Sequence, residues 1–342
     1  MTHPAYRALA LQTATHSVTG LTVAGARASI DASIARIAAQ VRGSRAWIGP
    51  DLRLVVLPEY VLTGFPMGEP IPLWRDKAAL APGGPEYEAL AAIARDQDLY
   101  LVVNAYESDR HFPELYFQAC VILGPSGDVV LRARRLYSMY SPTPYDVWSR
   151  YLDVHGPDAI LPVARTPIGN LAAVASEEIL YPELARSLAL RGAEVLCQPT
   201  SEVSSPLPTP KSIARRARAI ENLAYLVSAN SGGLSGTAIP ADSTSGGSEL
   251  IDFEGRVLAQ AAQGESMVAY AELDLGALRR HRARPGMGNL LARAKPALWA
   301  QEYARHEGDR PDELGETVPD RAWFGRRQLR TLERLREAGV IN

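Results

Sequence analysis

The 342-residue chain has little cysteine, no long apolar run and no excess of either charge. Its two cysteines, Cys120 and Cys197, lie in apolar runs, the usual setting of buried, reduced thiols. They could pair only if the fold brought them together. Six scattered histidines and no C-x-x-C pair leave no zinc-type ligand spacing. About 18 uninterrupted apolar residues, the minimum for a membrane helix, occur nowhere, and Met1 to Thr15 has neither an apolar core nor a cleavage site. A cytoplasmic protein is expected. A formal net charge of -2 gives no basic field to attract nucleic acid or an anionic membrane, which leaves small-molecule chemistry or protein partners.

What is present is an ordinary soluble composition, 46% hydrophobic and 22% charged, arranged as apolar strand-like runs between amphipathic stretches. Strands are expected at Arg7 to Thr13, Leu52 to Leu57, Leu99 to Tyr106, Phe117 to Leu123, Val129 to Leu136, Leu171 to Ala175, Val195 to Gln198, Leu226 to Ala229, Ser248 to Phe253 and Val268 to Leu273. Helices are expected at Ala28 to Val41, Glu86 to Asp96, Pro182 to Leu190 and Ile213 to Leu223, with proline at or just before two of the starts. Alternation of this kind means layered α/β architecture. Gly124-Pro125-Ser126-Gly127 and Phe253-Glu254-Gly255 read as hairpin turns. From Arg284 the pattern turns helical, Asn289 to His306 and Trp323 to Glu337, divided by the polar stretch Glu307 to Asp320. Leu290, Leu291, Trp299 and Tyr303 on its helix faces point to packing on the core or on a second subunit. The division is thus 1–283 for the main domain and 284–342 for a helical extension.

Four segments carry chemistry. Leu54-Val55-Val56-Leu57-Pro58-Glu59-Tyr60 is a buried strand that delivers a glutamate at its C-terminal end, where α/β folds place reacting groups. An isolated Pro-Glu pair is more often a surface turn. Gly127 to Leu136 is a strand ending in Arg134 and Arg135, by itself an ordinary solvated strand end. Leu171-Ala172-Ala173-Val174-Ala175-Ser176-Glu177-Glu178, continuing through Tyr181-Pro182-Glu183 to Arg191-Gly192-Ala193-Glu194, is a strand-to-helix elbow that suits a nucleophile or, equally, an N-cap serine. The fourth is Arg216-Ala217-Arg218-Ala219-Ile220-Glu221-Asn222, followed by Gly246-Gly247-Ser248 and the Asp252 to Val257 turn.

In this order the four segments resemble the nitrilase superfamily of carbon-nitrogen hydrolases over about Arg7 to Leu275. The resemblance implies a four-layer α-β-β-α sandwich, a homodimer or higher homo-oligomer, a small amide or nitrile as substrate, and chemistry that calls for no cofactor and no metal. It also implies three catalytic positions: a Glu as general base, a Lys that stabilises the tetrahedral intermediate, and an acylated Cys. Glu59 matches the first, and its apolar strand and Phe65 would favour the protonated form. Arg135 matches the second, or Arg134 if the register slips by one. Arginine holds an oxyanion but cannot hand over a proton, and the lysines Lys77, Lys211 and Lys295 belong to other segments. Ser176 matches the third, where a hydroxyl needs far stronger activation than a thiol. A second, substrate-steering glutamate is matched best by Asp146 in the loop Tyr140 to His155, with Asp153 the other acid there. Tyr60, Phe65, Trp148, Glu178, Tyr181 and Ser201 complete the expected pocket.

Three readings of Ser176 follow: an engineered Cys-to-Ser change in an active hydrolase, a natural member that binds without hydrolysis, and altered chemistry that needs no acyl-enzyme.

Overall fold

The computed structural model describes residues 5–306, 308–315 and 317–342. Residues 1–4 of the expected N-terminal segment, and Glu307 and Glu316 of the expected polar stretch, lie outside them. Two sheets form the centre. The first runs in the order β15 (Tyr270–Leu273), β1 (Tyr6–Ala10), β3 (Leu52–Val56), β5 (Tyr100–Glu107), β6 (Phe117–Leu123), β7 (Val129–Arg134), with β4 (Ala79–Leu80) also on β5. The second runs β14 (Val257–Gln260), β13 (Glu249–Ile251), β11 (Tyr225–Ala229), β10 (Val195–Pro199), β9 (Gly169–Ala173), β8 (Ala164–Thr166). A short parallel clasp, β2 (Thr15–His16) on β12 (Leu234–Ser235), ties the two halves.

Side-chain alternation explains the layers. On β3, Leu54 and Val56 face the second sheet while Val55 and Leu57 face helices α1 (Val23–Ile48), α2 (Ile71–Ala78) and α3 (Pro85–Asp96). On β10, Val195 and Cys197 face the first sheet while Leu196 faces α5 (Pro182–Leu190) and α6 (Pro210–Asn222). The central strands β5, β6, β10 and β11 are buried along their whole length, which is why they read as continuous apolar runs rather than alternating ones. The result is the expected four-layer α-β-β-α sandwich. Gly169 opens β9 at φ +108, where a Cβ would also collide with Leu275 Cδ1, so glycine is required at the close approach of α7 (Leu275–Ala283).

Several boundaries differ from expectation. α6 starts three residues earlier than its apolar periodicity shows, because Thr209 caps it by accepting from the Ser212 N–H and Pro210 fills its first turn. The expected helix at Asn289 to His306 shrinks to α8 (Pro296–Tyr303), since Pro296 cannot sit inside a helix, and its Trp299 and Tyr303 are 58% and 61% exposed. α4 (Trp148–His155) is a helix where none was expected.

The last helix, α9 (Arg321–Glu337), docks on the core, as does Leu314 before it: Phe324 is buried with the α1–α3 layer, and Arg327 pairs with the buried Asp146 and, at 2.8 Å, with Asp309. Removing one partner of a buried pair leaves the other charge uncompensated. Arg327→Ala is therefore expected to destabilise the fold by about 3 kcal/mol in urea unfolding; a loss under about 0.5 kcal/mol, the range of ordinary surface changes, would show that the tail is not anchored by this pair.

Candidate active site

The C-terminal ends of β3, β7, β9 and β10 converge, and the end of β3 is tied across to the second sheet by the Glu59 N–H donating to the Thr200 carbonyl (3.2 Å). Glu59 lies three residues beyond the end of β3 and is 2% exposed. Its surroundings are polar, contrary to the apolar setting expected: Arg135 Nη1 donates to Glu59 Oε1 at 2.7 Å and Gln118 Nε2 to the same oxygen at 3.0 Å. Gln118 in turn accepts from Arg135 Nη1 (2.7 Å) and donates to Asn104 Oδ1 (2.8 Å), which fixes its amide orientation.

Arg135 is the hub. Its guanidinium donates to Glu59, to the Tyr60 hydroxyl (3.1 Å), to the Tyr137 carbonyl (2.5 Å) and to Glu177 Oε1 (2.5 Å). Arg134, the alternative register, points to the other face of the strand and pairs with Asp109 at 2.6 Å, stacked over Phe117 and Tyr151. Alternation along β7 thus puts Arg135 in the site and Arg134 outside it.

Ser176 stands at the elbow after β9 with φ +46, a left-handed conformation that costs a non-glycine residue about 1–3 kcal/mol and persists only where surroundings enforce it. Tyr60, next to Glu59, is held likewise at φ +58. Enforcement at Ser176 comes from Glu178, whose carboxylate accepts the Ala175 N–H (3.0 Å) and the Leu136 N–H (2.7 Å), and from Gln198 Nε2 donating to the Ser176 carbonyl at 3.0 Å. The N-cap alternative for this serine does not hold. The Ser176 hydroxyl caps no helix and instead receives Lys211 Nζ at 2.9 Å. That contact corrects the expectation that no lysine is within reach.

The remaining expected site residues divide. Phe65 packs edge-on against Tyr60 (5.9 Å), and Tyr181 stacks on Tyr137 at 3.7 Å, so both border the Arg135 cluster. Ser201 follows Thr200 at the end of β10 and is half-buried. Asp146 is not brought to the cluster. It accepts from the Thr143 backbone and hydroxyl and from Arg327, which makes it a cap and a tail anchor. Trp148 begins α4 against Tyr145 (5.6 Å), in the same peripheral region. Asp153 is elsewhere on α4. Residues that sequence reasoning missed are Gln118, Glu177, Gln198 and Lys211. A cavity of about 700 Å³ lies nearby between the 202–209 loop and the 245–247 turn, but none of Glu59, Arg135 and Ser176 lines it. Among the described residues no group of three or more His, Cys, Asp or Glu side chains could hold a metal, and no helix is long and apolar enough to cross a membrane.

Burial pushes the Glu178 carboxyl up to about 7, against the opposing pull of Arg135 and of the backbone N–H groups at Leu136, Ala175 and Tyr137. The folded protein therefore holds this proton more tightly than the unfolded chain. The stabilisation is complete below the ordinary carboxylate range and is lost as pH rises through about 7. The stability of the wild type relative to Glu178→Gln should fall by about 3 kcal/mol between pH 4.5 and pH 8, read from urea midpoints; a pH-independent difference would refute it.

The sequence model of the family described as carbon-nitrogen hydrolase matches residues 22–283. Formamidase from Bacillus thuringiensis (strain Al Hakam) is 28% identical over 253 residues, 73% of this chain and 70% of that protein. Among solved structures, a carbon-nitrogen hydrolase from Helicobacter pylori G27 superposes with a TM-score of 0.66 at 20% identity, covering 88% of this chain and 98% of that one. Nit3 of Saccharomyces cerevisiae, a nitrilase-superfamily member, gives 0.65 at 20% identity, covering 82% and 94%. An amidase from Nesterenkonia sp. gives 0.60 at 18% identity, covering 88% and 97%. The four-layer sandwich and a family match across most of its length establish that this chain belongs to the carbon-nitrogen hydrolase family.

Proposed function

We propose that this protein hydrolyses small amides to the acid and ammonia, with Ser176 in the place of the family's cysteine and Arg135 in the place of its lysine, both native to the protein. The observation that carries the reading is the Ser176 elbow. A serine whose backbone is held at φ +46 through Glu178 and Gln198, and whose hydroxyl is free of any capping duty, is arranged as a nucleophile rather than as a turn residue. Beside it, Arg135 supplies a permanent positive charge that would lower the energy of an oxyanion, and Glu59 and Glu177 fix the orientation of that charge. Burial of Ser176, which is 3% exposed, favours a small acyl group over a bulky one. Formamidases among the relatives, and a Nesterenkonia amidase variant solved in complex with acrylamide, accord with short amides.

A second reading, binding of a small nitrogen compound without hydrolysis, is favoured by one feature. Glu59 is closed into an ion pair with a guanidinium that keeps its proton, so it lacks the proton-transferring partner a lysine would give. Ammonia release separates the two. On a panel of formamide, acetamide, propionamide, acrylamide and the corresponding nitriles, the protein is expected to release ammonia from at least one amide, and Ser176→Ala to lower that rate at least about 100-fold. Measurable binding by calorimetry with no ammonia above the Ser176→Ala background would establish the second reading instead.

A further inference from the structure

Three of the 36 basic residues are lysines. Lys77 is buried in an ion pair with Glu69 at 2.6 Å, and Lys295 precedes α8. The third, Lys211, reaches Ser176 Oγ at 2.9 Å, and among the described residues it has no carboxylate partner. From this contact we propose that Lys211 is the general base and acid of the site, forming a serine–lysine pair with Ser176. The proposal rests on the amide-hydrolase reading and adds the proton carrier that Arg135 cannot be.

The geometry that delivers Lys211 is built into α6. Lys211, Arg215, Arg218 and Asn222 recur at i, i+4, i+7 and i+11, one face of a helix. Arg218 on that face donates to the Ile179 carbonyl (2.9 Å) and the Leu180 carbonyl (3.2 Å), clamping the turn that follows Ser176. Arg215 is buried between Glu202 and Glu249. The same face therefore grips the elbow two turns along and lays Lys211 on its hydroxyl. The charged groups around the pair are Glu177 and Glu178 on the elbow, Arg135 and Glu59 from the first sheet, and Arg215 and Arg218 on α6. Both of these α6 arginines are matched by carboxylates, Arg218 by Glu221 at 3.0 Å.

The sequence of events balances as follows. The Lys211 amine takes the Ser176 proton as Oγ bonds to the amide carbonyl carbon, giving a tetrahedral oxyanion that the Arg135 charge would stabilise. Collapse breaks the C–N bond, the Lys211 ammonium gives its proton to the departing nitrogen, and ammonia leaves an ester on Ser176. Lys211 then takes a proton from water as the hydroxide oxygen bonds to that ester carbon. Collapse breaks the C–Oγ bond, and Lys211 returns the proton to Ser176.

The test uses Lys211→Met, which keeps the side-chain stem, with two readouts: ammonia release from the amide panel, and sulfonylation of Ser176 by methanesulfonyl fluoride followed by mass spectrometry. Both should fall about 10²–10⁴-fold with the melting temperature retained. A Lys211→Cys variant treated with 2-bromoethylamine restores a primary amine, and should recover activity with the alkaline rise of its pH profile moved to lower pH, because the thioether amine is the weaker base. Cys120 and Cys197 are buried, burial pushing the Cys120 thiol up to about 12 and the Cys197 thiol higher still, and they should remain unmodified. Lysine-dependent sulfonylation without ammonia release from any amide would uphold the pair and sink the amide reading. Lys211→Met hydrolysing amides at the wild-type rate would overturn the pair and leave the hydrolase reading standing. Failure of the wild type both to hydrolyse and to be sulfonylated would overturn both.

Discussion

The buried Arg135 guanidinium is the contact on which the rest of the site depends. It lies just past β7 at the edge of the first sheet, meets Glu59 from beyond β3 of the same sheet, and reaches Glu177 on the elbow of the second. Burying a full positive charge is costly unless it is neutralised and hydrogen-bonded, and here two carboxylates, an amide, a hydroxyl and a carbonyl do so. The two sheets are packed by apolar side chains, but at their C-terminal ends they are held in register by this charge cluster. Its arrangement also limits what it can do: a guanidinium so engaged can stabilise charge and position neighbours, but it keeps its proton.

The elbow shows how strain is supported. The left-handed serine is flanked by small residues of β9 that let it pack closely on β10, and Glu178 turns back to satisfy two backbone N–H groups that would otherwise be buried without acceptors. One of these groups belongs to Leu136, beyond β7, so the elbow and the Arg135 segment are locked by the same carboxylate. Glu178 and Arg135 thus work as a unit, one fixing backbone and the other fixing charge, and the Ser176 hydroxyl is left facing α6.

Much of this was legible in the sequence. The strands at 52–57 and 117–123, the elbow helix at Pro182, and the placement of Glu59 and Ser176 after strands follow from apolar runs and turn residues, because double burial leaves an uninterrupted apolar signature. Asp146 was drawn toward the site by its position in the loop between two of the site segments. The structure gives it to Arg327, 181 residues later, a pairing that no local pattern encodes. In the sequence Lys211 belongs to another segment, 35 residues after Ser176, and lies just outside the apolar periodicity that begins at Ile213. Thr209 and Pro210, a cap and a first-turn proline, were the available signal that the helix starts earlier. Gln118 could not be distinguished from a core polar residue until its partners were in place.

The sequence by itself determined the layered α/β class, the order of the strands along the chain, and the residue types that end them, since these depend on local periodicity and turn chemistry. The tertiary structure decided which side chains meet. Arg135 rather than Arg134 enters the site through strand alternation, Asp146 leaves it through the docking of α9, and Lys211 joins it through the face that α6 presents to the elbow. Each of these outcomes depends on distances between segments far apart in sequence, which packing of the two sheets and their helices fixes and which no local pattern specifies.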